Sequence, residues 1–303
     1  MCLWPLMCLL FVTVSVAQQC SKRDNRIDNQ CSYTDGQANM GIVIEVRNIT
    51  NVRSIDINRI KSALAENGVV VIKNQHLTRQ QQVDFTSTLG NVIVLPSSFE
   101  GKDREMGFPE IQRITNYWFN GTWKGHRSCH FGCYWHKDGD FQHNGYLASV
   151  LYADEVTKNV STTQFLDNCE VYYKLSRPNQ EKLSRAIFKV SVRDIPDFSR
   201  GTEEDFSLFP QDKLHNGIYQ HPQNGRTCAY VTSYFITPNG VASDLHTVWT
   251  EVVEKSAKYV HSWTKGDVVI WDNLAVMHRA GTDGAKASGK GTPRMLFRTQ
   301  AFL

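Results

Sequence analysis

Past residue 17 the chain of 303 residues has no hydrophobic run of membrane length, no internal repeat and no Ser/Pro-rich linker. It also lacks a charge imbalance. Thirty-three Lys and Arg face 30 Asp and Glu, a net charge of +3, with no basic stripe interleaved with aromatics, so a nucleic-acid partner is not expected. No stable membrane partner is expected either. H-E-x-x-H and G-x-S-x-G are missing, which argues against the common metalloprotease and esterase chemistries. Gly284 to Gly291 nearly matches a phosphate-binding loop, but Gly291 replaces the required Ser or Thr. Thr292-Pro293 and a strand-like run follow where a helix should open, so the segment reads as a flexible loop.

The first 17 residues lack charged side chains altogether. Met1 to Ala17 is mostly apolar and ends in Ser15-Val16-Ala17, which reads as a secretory signal peptide cut after Ala17; an uncleaved membrane anchor is the alternative. That reading places the mature chain in the secretory pathway, in the ER lumen or outside the cell. Cys2 and Cys8 leave with the signal, and an even number of cysteines remains, which suggests disulfides. Cys20–Cys31 and Cys129–Cys133 are plausible local pairs. Cys129, His130 and Cys133 also resemble half a zinc site, but no second half follows. Behind a signal peptide, the sequons at Asn48, Asn120 and Asn159 become candidate glycosylation sites.

What remains is ordinary globular composition, 41% hydrophobic and 21% charged. Residues 18–40 are polar and read as irregular. Gly41–Val46 reads as a strand. Ile57, Ile60 and Leu64 recur at helical spacing before a Gly68 cap, and Val69–Ile72 is a buried strand. Thr78 caps a second helix running toward Leu89. From residue 110 onward short apolar or alternating runs dominate: Ile111–Tyr117, Tyr146–Tyr152, Thr227–Ile236, Val268–Trp271 and Met295–Phe302. One helix, Gln180 to Phe188, interrupts them. The expectation is a mainly β (α+β) single domain over residues 41–303, with N-terminal strands and flanking helices.

Trp135-His136-Lys137-Asp138 carries an H-x-D pair, which a strand would present on one face. Alone the pair is weak, since a surface strand with a solvated Asp reads the same way. Val268–Asp272, Asn273 and then His278-Arg279-Ala280 form a second half. In the run Arg294-Met295-Leu296-Phe297-Arg298 a strand would put Arg294 and Arg298 on one face; an exposed edge guarded by Arg is the bland reading. Two His and one carboxylate on one face of Fe(II) are the facial triad of non-haem oxygenases, with open positions for co-substrates. The distal carboxylate of a 2-oxo acid calls for a planar bidentate cation, which Arg supplies better than Lys.

These pieces, in this order, resemble the taurine dioxygenase family (TauD/TfdA-like, clavaminate synthase-like) of Fe(II)/2-oxoglutarate oxygenases. The motifs are Trp135-His136-Lys137-Asp138 with Phe141, Ser161–Asp167, His221–Arg226, Trp271-Asp272-Asn273 through Ala280, and Arg294 with Arg298. The resemblance implies a double-stranded β-helix (jelly-roll) core. It implies Fe(II) held by His136, Asp138 and His278, with 2-oxoglutarate and O2 as co-substrates. It implies that Arg294 and Thr163 contact 2-oxoglutarate, with Thr162 competing for the second role. Arg298 would face the acidic group of the substrate and Phe141 would line its pocket. The implied reaction oxidises a C–H bond of a small, anionic substrate, a carboxylate or sulfonate, by hydroxylation, desaturation or cyclisation. A substrate-side His that taurine-cleaving members place soon after Leu-Gly is missing after Leu89-Gly90, so taurine itself is not the expected substrate. The alternative is a secreted jelly-roll that binds without catalysis.

Overall fold

The computed structural model describes residues 28–30, 40–51, 54–95, 104–116, 118–119, 122–123, 134–141, 147–157, 161–195, 202–209, 211–230, 252–281 and 293–303. The proposed leader, the four locally paired cysteines, Asn120, Asn159, the Gly/Lys loop before Gly291 and most of the expected strand beyond Ala229 lie outside them. The principal strands are β1 (Ile42–Glu45), β2 (Val69–Ile72), β3 (Phe108–Thr115), β4 (Leu147–Val156), β5 (Thr162–Asp167), β6 (Tyr259–Ser262), β7 (Val268–Asp272), β8 (Val276–Ala280) and β9 (Arg294–Phe302). The helices that matter here are α1 (Ser54–Asn67), α2 (Arg79–Leu89), α3 (Asn168–Lys174) and α4 (Arg177–Ser184).

A large sheet runs β1-β2-β7-β4-β9-β3, with short strands Asp28–Gln30 and Arg104–Glu105 at its two edges. Its pairings are antiparallel except β1 with β2. A smaller sheet runs β6-β5-β8. The two pack face to face, as sheets with one apolar side must. Val69, Val71, Leu151, Ala153, Leu296 and Trp271 from the large sheet meet Phe165 and Val276 from the small one.

Two further clusters cover the outer faces. Ile57, Ile60 and Leu64 recur every third or fourth residue, so α1 buries one stripe against Val70 and Ile72 on the back of the large sheet. Gly68 ends that helix at φ +69°, donating its N–H to Leu64 O at 2.8 Å. A Cβ there would lie 2.7 Å from Val276 Cγ1, so glycine is required twice over. Helix α2 begins in a capping box: Thr78 Oγ1 accepts from Gln81 N, and Gln81 Oε1 accepts from Thr78 N. It docks on β9 by polar contacts, Gln82 Nε2 donating to Phe297 O at 2.7 Å and Thr86 Oγ1 meeting Thr299 Oγ1 at 2.6 Å.

The third cluster, behind the small sheet, gathers Trp135, Leu166, Val171, Leu183, Phe188, Tyr230 and Met277. Here the structure departs from the sequence reading. The expected helix ends at Ser184, and Phe188 belongs to a strand, Ile187–Val190, paired with Lys213–Asn216. Pro178 sits in the first turn of α4, where its missing N–H is harmless, so the helix starts earlier than its apolar residues suggested. Helix α3 is too short for periodicity to show; Asp167 caps it by accepting from Cys169 N and Glu170 N. Cys169, in its first turn, is disulfide-bonded to Cys228 in the strand Thr227–Ala229.

Candidate functional site

The inner face of the sandwich changes character along its length. On β4 the inward residues are Ala153, Leu151 and then Ser149; on β9 they are Leu296, Arg298 and Gln300. Across β9, Arg298 is in register with Gln112 of β3. The apolar interior thus gives way to a buried polar end, and His136, Asp138 and His278 converge there.

Backbone pairing brings the first and last of these together. His136 N donates to His278 O at 3.0 Å, and His278 N to His136 O at 2.9 Å, so one bridge lays the Trp135–Asp138 segment along β8. A strand was expected through both His136 and Asp138. Only His136 pairs, and the chain turns at Asp138, helped by Gly139 at φ +76°. Asp138 is placed by a side chain instead: Asn273 Oδ1 accepts its N–H at 3.0 Å.

The candidate ligand atoms of His136, Asp138 and His278 all lie within 4.8 Å of one another. His136 Nδ1 is 2.9 Å from Tyr134 O. A carbonyl only accepts, so Nδ1 donates to it and Nε2 is the nitrogen left to face the other two side chains. The His278 ring lies against His136, Trp271 and Phe165, with centroids 4.2, 4.8 and 6.1 Å away. Burial, with the nearby His136 and Arg298, pushes the His278 pKa well below the usual histidine value against the pull of Asp138, so its imidazole is neutral.

Asp138 is held at both oxygens. Arg298 Nη1 donates to Oδ1 at 2.6 Å, and Ser149 Oγ donates to Oδ2 at 2.6 Å. Burial alone would raise its pKa. Arg298, the two imidazoles and the Ser149 hydroxyl outweigh that and keep the carboxyl well below the usual range, hence ionised. Ser149 Oγ also accepts from Asn273 Nδ2 at 3.0 Å and Gln300 Nε2 at 2.9 Å. Trp271 Nε1 donates to Asn273 Oδ1 at 3.0 Å.

The residues fit a divalent cation by their chemistry. Two imidazoles and one carboxylate are the donor set that non-haem iron takes. His278 Nε2 lies 3.9 Å from Asp138 Oδ1, too far for a hydrogen bond and close enough for one cation to engage both.

The other expected site residues fall as follows. Arg294 is buried at the start of β9, its carbonyl accepting from Thr115 Oγ1 at 2.7 Å. Thr163 shares a face of β5 with Phe165, and its hydroxyl accepts from Trp263 Nε1 at 2.9 Å; Thr162, one residue earlier, points to the other face. Phe141 is half-buried, edge-on to Phe209 at 4.8 Å. Arg298 departs most from expectation: its terminal nitrogens are engaged by Asp138 and by Gln112 Oε1.

Sequence reasoning passed over Ser149, Gln112 and Gln300, whose only signal is a polar residue on the inward face of an apolar strand. His221 is fully buried, its Nε2 2.7 Å from Asp272 Oδ2. Lys137, between two candidate ligands, is buried as well; burial lowers its pKa to about 8, with Asp140 and Asp272 resisting the fall.

A model of the taurine catabolism dioxygenase TauD, TfdA family matches residues 33–300. The chain belongs to that family. It is 24% identical over 253 residues to an alpha-ketoglutarate-dependent 2,4-dichlorophenoxyacetate dioxygenase of Cupriavidus pinatubonensis, covering 75% of this chain and 83% of that one. It is 21% identical over 257 residues to the (S)-phenoxypropionate/alpha-ketoglutarate-dioxygenase of Sphingobium herbicidovorans, covering 77% and 84%. Its fold superposes on a crystal structure of a taurine dioxygenase from Burkholderia xenovorans with a TM-score of 0.70 at 22% identity, over 91% and 90% of the two chains. The sandwich is therefore the TauD/TfdA jelly roll, and among the described residues its sheets do not close into a barrel. As a TauD/TfdA member the chain is an Fe(II)- and 2-oxoglutarate-dependent dioxygenase that uses O2.

These relatives overturn the secretory location read from the first 17 residues. They are α-ketoglutarate-dependent dioxygenases of bacteria. The luminal, secreted and anchored readings are withdrawn together. The sequons lose their basis with them, since N-glycosylation requires the secretory lumen. Asn48 is exposed, and its side chain accepts from Thr50 N and Thr50 Oγ1 within an ordinary turn.

Proposed function

We propose that His136, Asp138 and His278 hold the Fe(II), that Arg294 and Thr163 receive the distal carboxylate of 2-oxoglutarate, and that the enzyme hydroxylates a C–H bond of a small carboxylate or sulfonate. The observation carrying this reading is the convergence of the three side chains within 4.8 Å at the polar end of the sandwich. Bound iron with its two co-substrates supplies the oxidising chemistry, with succinate and CO2 as the by-products.

The protein's share is placement and protonation state. Tyr134 O orients the ring of His136 through Nδ1. Arg298 and Ser149 keep Asp138 ionised and aimed. Trp271 and Phe165 wall His278 from water, which favours its neutral form. Arg294 offers a guanidinium that stays charged when buried. Support for an anionic substrate comes from the relatives, named for phenoxyacetate and phenoxypropionate, and from Arg298, 19% exposed beside Asp138. Phe141 supplies an aromatic wall in this reading.

The test measures succinate release from purified protein across carboxylates and sulfonates, with Fe(II), 2-oxoglutarate and O2. The wild type should turn over, His136→Ala should lose turnover, and Arg294→Gln should raise the 2-oxoglutarate requirement by ten-fold or more, on the order of one lost charge-assisted bidentate contact. Undiminished turnover in His136→Ala would sink the assignment.

A further inference from the structure

Lys137 stands between two proposed ligands, yet its side chain enters the cluster behind the small sheet and is only 3% exposed. Its Nζ donates to Tyr219 Oη at 2.8 Å and lies 4.7 and 4.9 Å from the ring centroids of Tyr219 and Tyr230. Two carboxylates, Asp140 and Asp272, face the ammonium. Such a cation is expensive to bury and is tolerated when hydrogen-bonded, placed over aromatic faces and offset by acids.

This arrangement connects the two halves of the triad. On one side Lys137 is covalently part of the His136–Asp138 segment. On the other, Tyr219 Oη donates to Leu274 O, in the turn between β7 and β8. Asp272 organises the same turn, its Oδ1 accepting from Leu274 N at 2.8 Å and Ala275 N at 3.1 Å while Oδ2 faces His221. That turn leads directly into His278. One backbone bridge joins the segments from the front, and the Lys137–Tyr219–Leu274 chain joins them from behind.

We propose that Lys137 is a positioning residue: a buried ammonium strut that fixes the separation of His136 and Asp138 from His278, with Tyr219 as its relay. The proposal rests on the reading that these three residues hold the metal. It assigns Lys137 no contact with metal or substrate.

The experiment is anaerobic Co(II) titration of the full chain, read by the d–d absorption of the bound ion, with thermal unfolding of each metal-free protein beside it. His136→Ala serves as the ligand control and should bind Co(II) far more weakly than wild type. Lys137→Met and Tyr219→Phe should each bind about 10- to 100-fold more weakly, the usual range for losing a group that orients a ligand, with altered band shape. Tyr219→Phe keeps the ring and should unfold within a few degrees of wild type. If His136→Ala binds like wild type, the triad reading falls and the strut with it. If His136→Ala loses binding while Tyr219→Phe and any folded Lys137→Met keep wild-type affinity and spectrum, the strut alone is overturned. Should Lys137→Met fail to fold, Tyr219→Phe decides.

Discussion

Arg298 Nη1 lies 2.6 Å from Asp138 Oδ1, so the arginine expected to greet a substrate anion already holds the carboxylate of the candidate metal triad. Its other terminal nitrogen is taken by Gln112. Arg298→Gln should therefore weaken metal binding about 10- to 100-fold as well as raise KM for an anionic substrate. Isothermal titration with Co(II), set beside steady-state kinetics, separates the two effects. A change confined to substrate KM would return Arg298 to a purely substrate-facing role.

Ser149 is the hub beneath Asp138. Its hydroxyl donates to Oδ2 and accepts from Asn273 and Gln300, and Ser149, Asn273 and Gln300 are buried. Ser149→Ala strips the acceptor from two amides and one donor from a buried carboxylate. Urea unfolding should show a loss of about 1–3 kcal/mol, because buried polar groups left unpaired keep their desolvation penalty.

The Cys169–Cys228 bond ties the start of α3 to the strand Thr227–Ala229 across a sequence separation of 59 residues. Closing a loop of that size restricts the unfolded chain, so reduction, or Cys228→Ala, should lower stability by about 2–4 kcal/mol. Thiol counting with and without denaturant, followed by melting in reductant, checks it; an unchanged melting temperature would show the bond does not stabilise the fold.

Acid should destabilise the protein partly through Asp267. Burial raises its pKa, but His261, Lys73 and Thr264 N outweigh burial and set it below its ordinary value. The stability this adds is present above the unfolded carboxylate range, near pH 4, and is lost as pH falls through the folded value. Burial lowers the pKa of His261 despite Asp267, so its contribution also fades once pH drops below the ordinary histidine value near 6.5. Both act in one direction: the melting temperature should fall on acidification from neutral pH. In Asp267→Asn the acid-side dependence should be shallower; an identical slope would remove Asp267 from the account.

The parts of the site legible in the sequence are those whose chemistry is unusual for their position. His136, Asp138 and His278, which the fold gathers within 4.8 Å, stood out because imidazoles and a carboxylate recur beside apolar strand-like runs. Helices α1 and α2 were legible for local reasons, a repeated apolar stripe and a Thr78–Gln81 capping pair. The location was not legible, because an uncharged apolar start says nothing of where relatives of the chain work.

By itself, then, the sequence determined the donor set, the alternation that makes sheets, and the family to which the chain belongs. Only the tertiary structure decided how those donors are held. Ser149, Gln112 and Gln300 are unremarkable polar residues until cross-strand register gathers them around Arg298 and Asp138. Arg298 and Asp138 are 160 residues apart, and Lys137 and Tyr219 are 82 apart. Hydrogen bonds and charge pairs act over a few ångströms, so their partners are selected by packing, which no local pattern encodes.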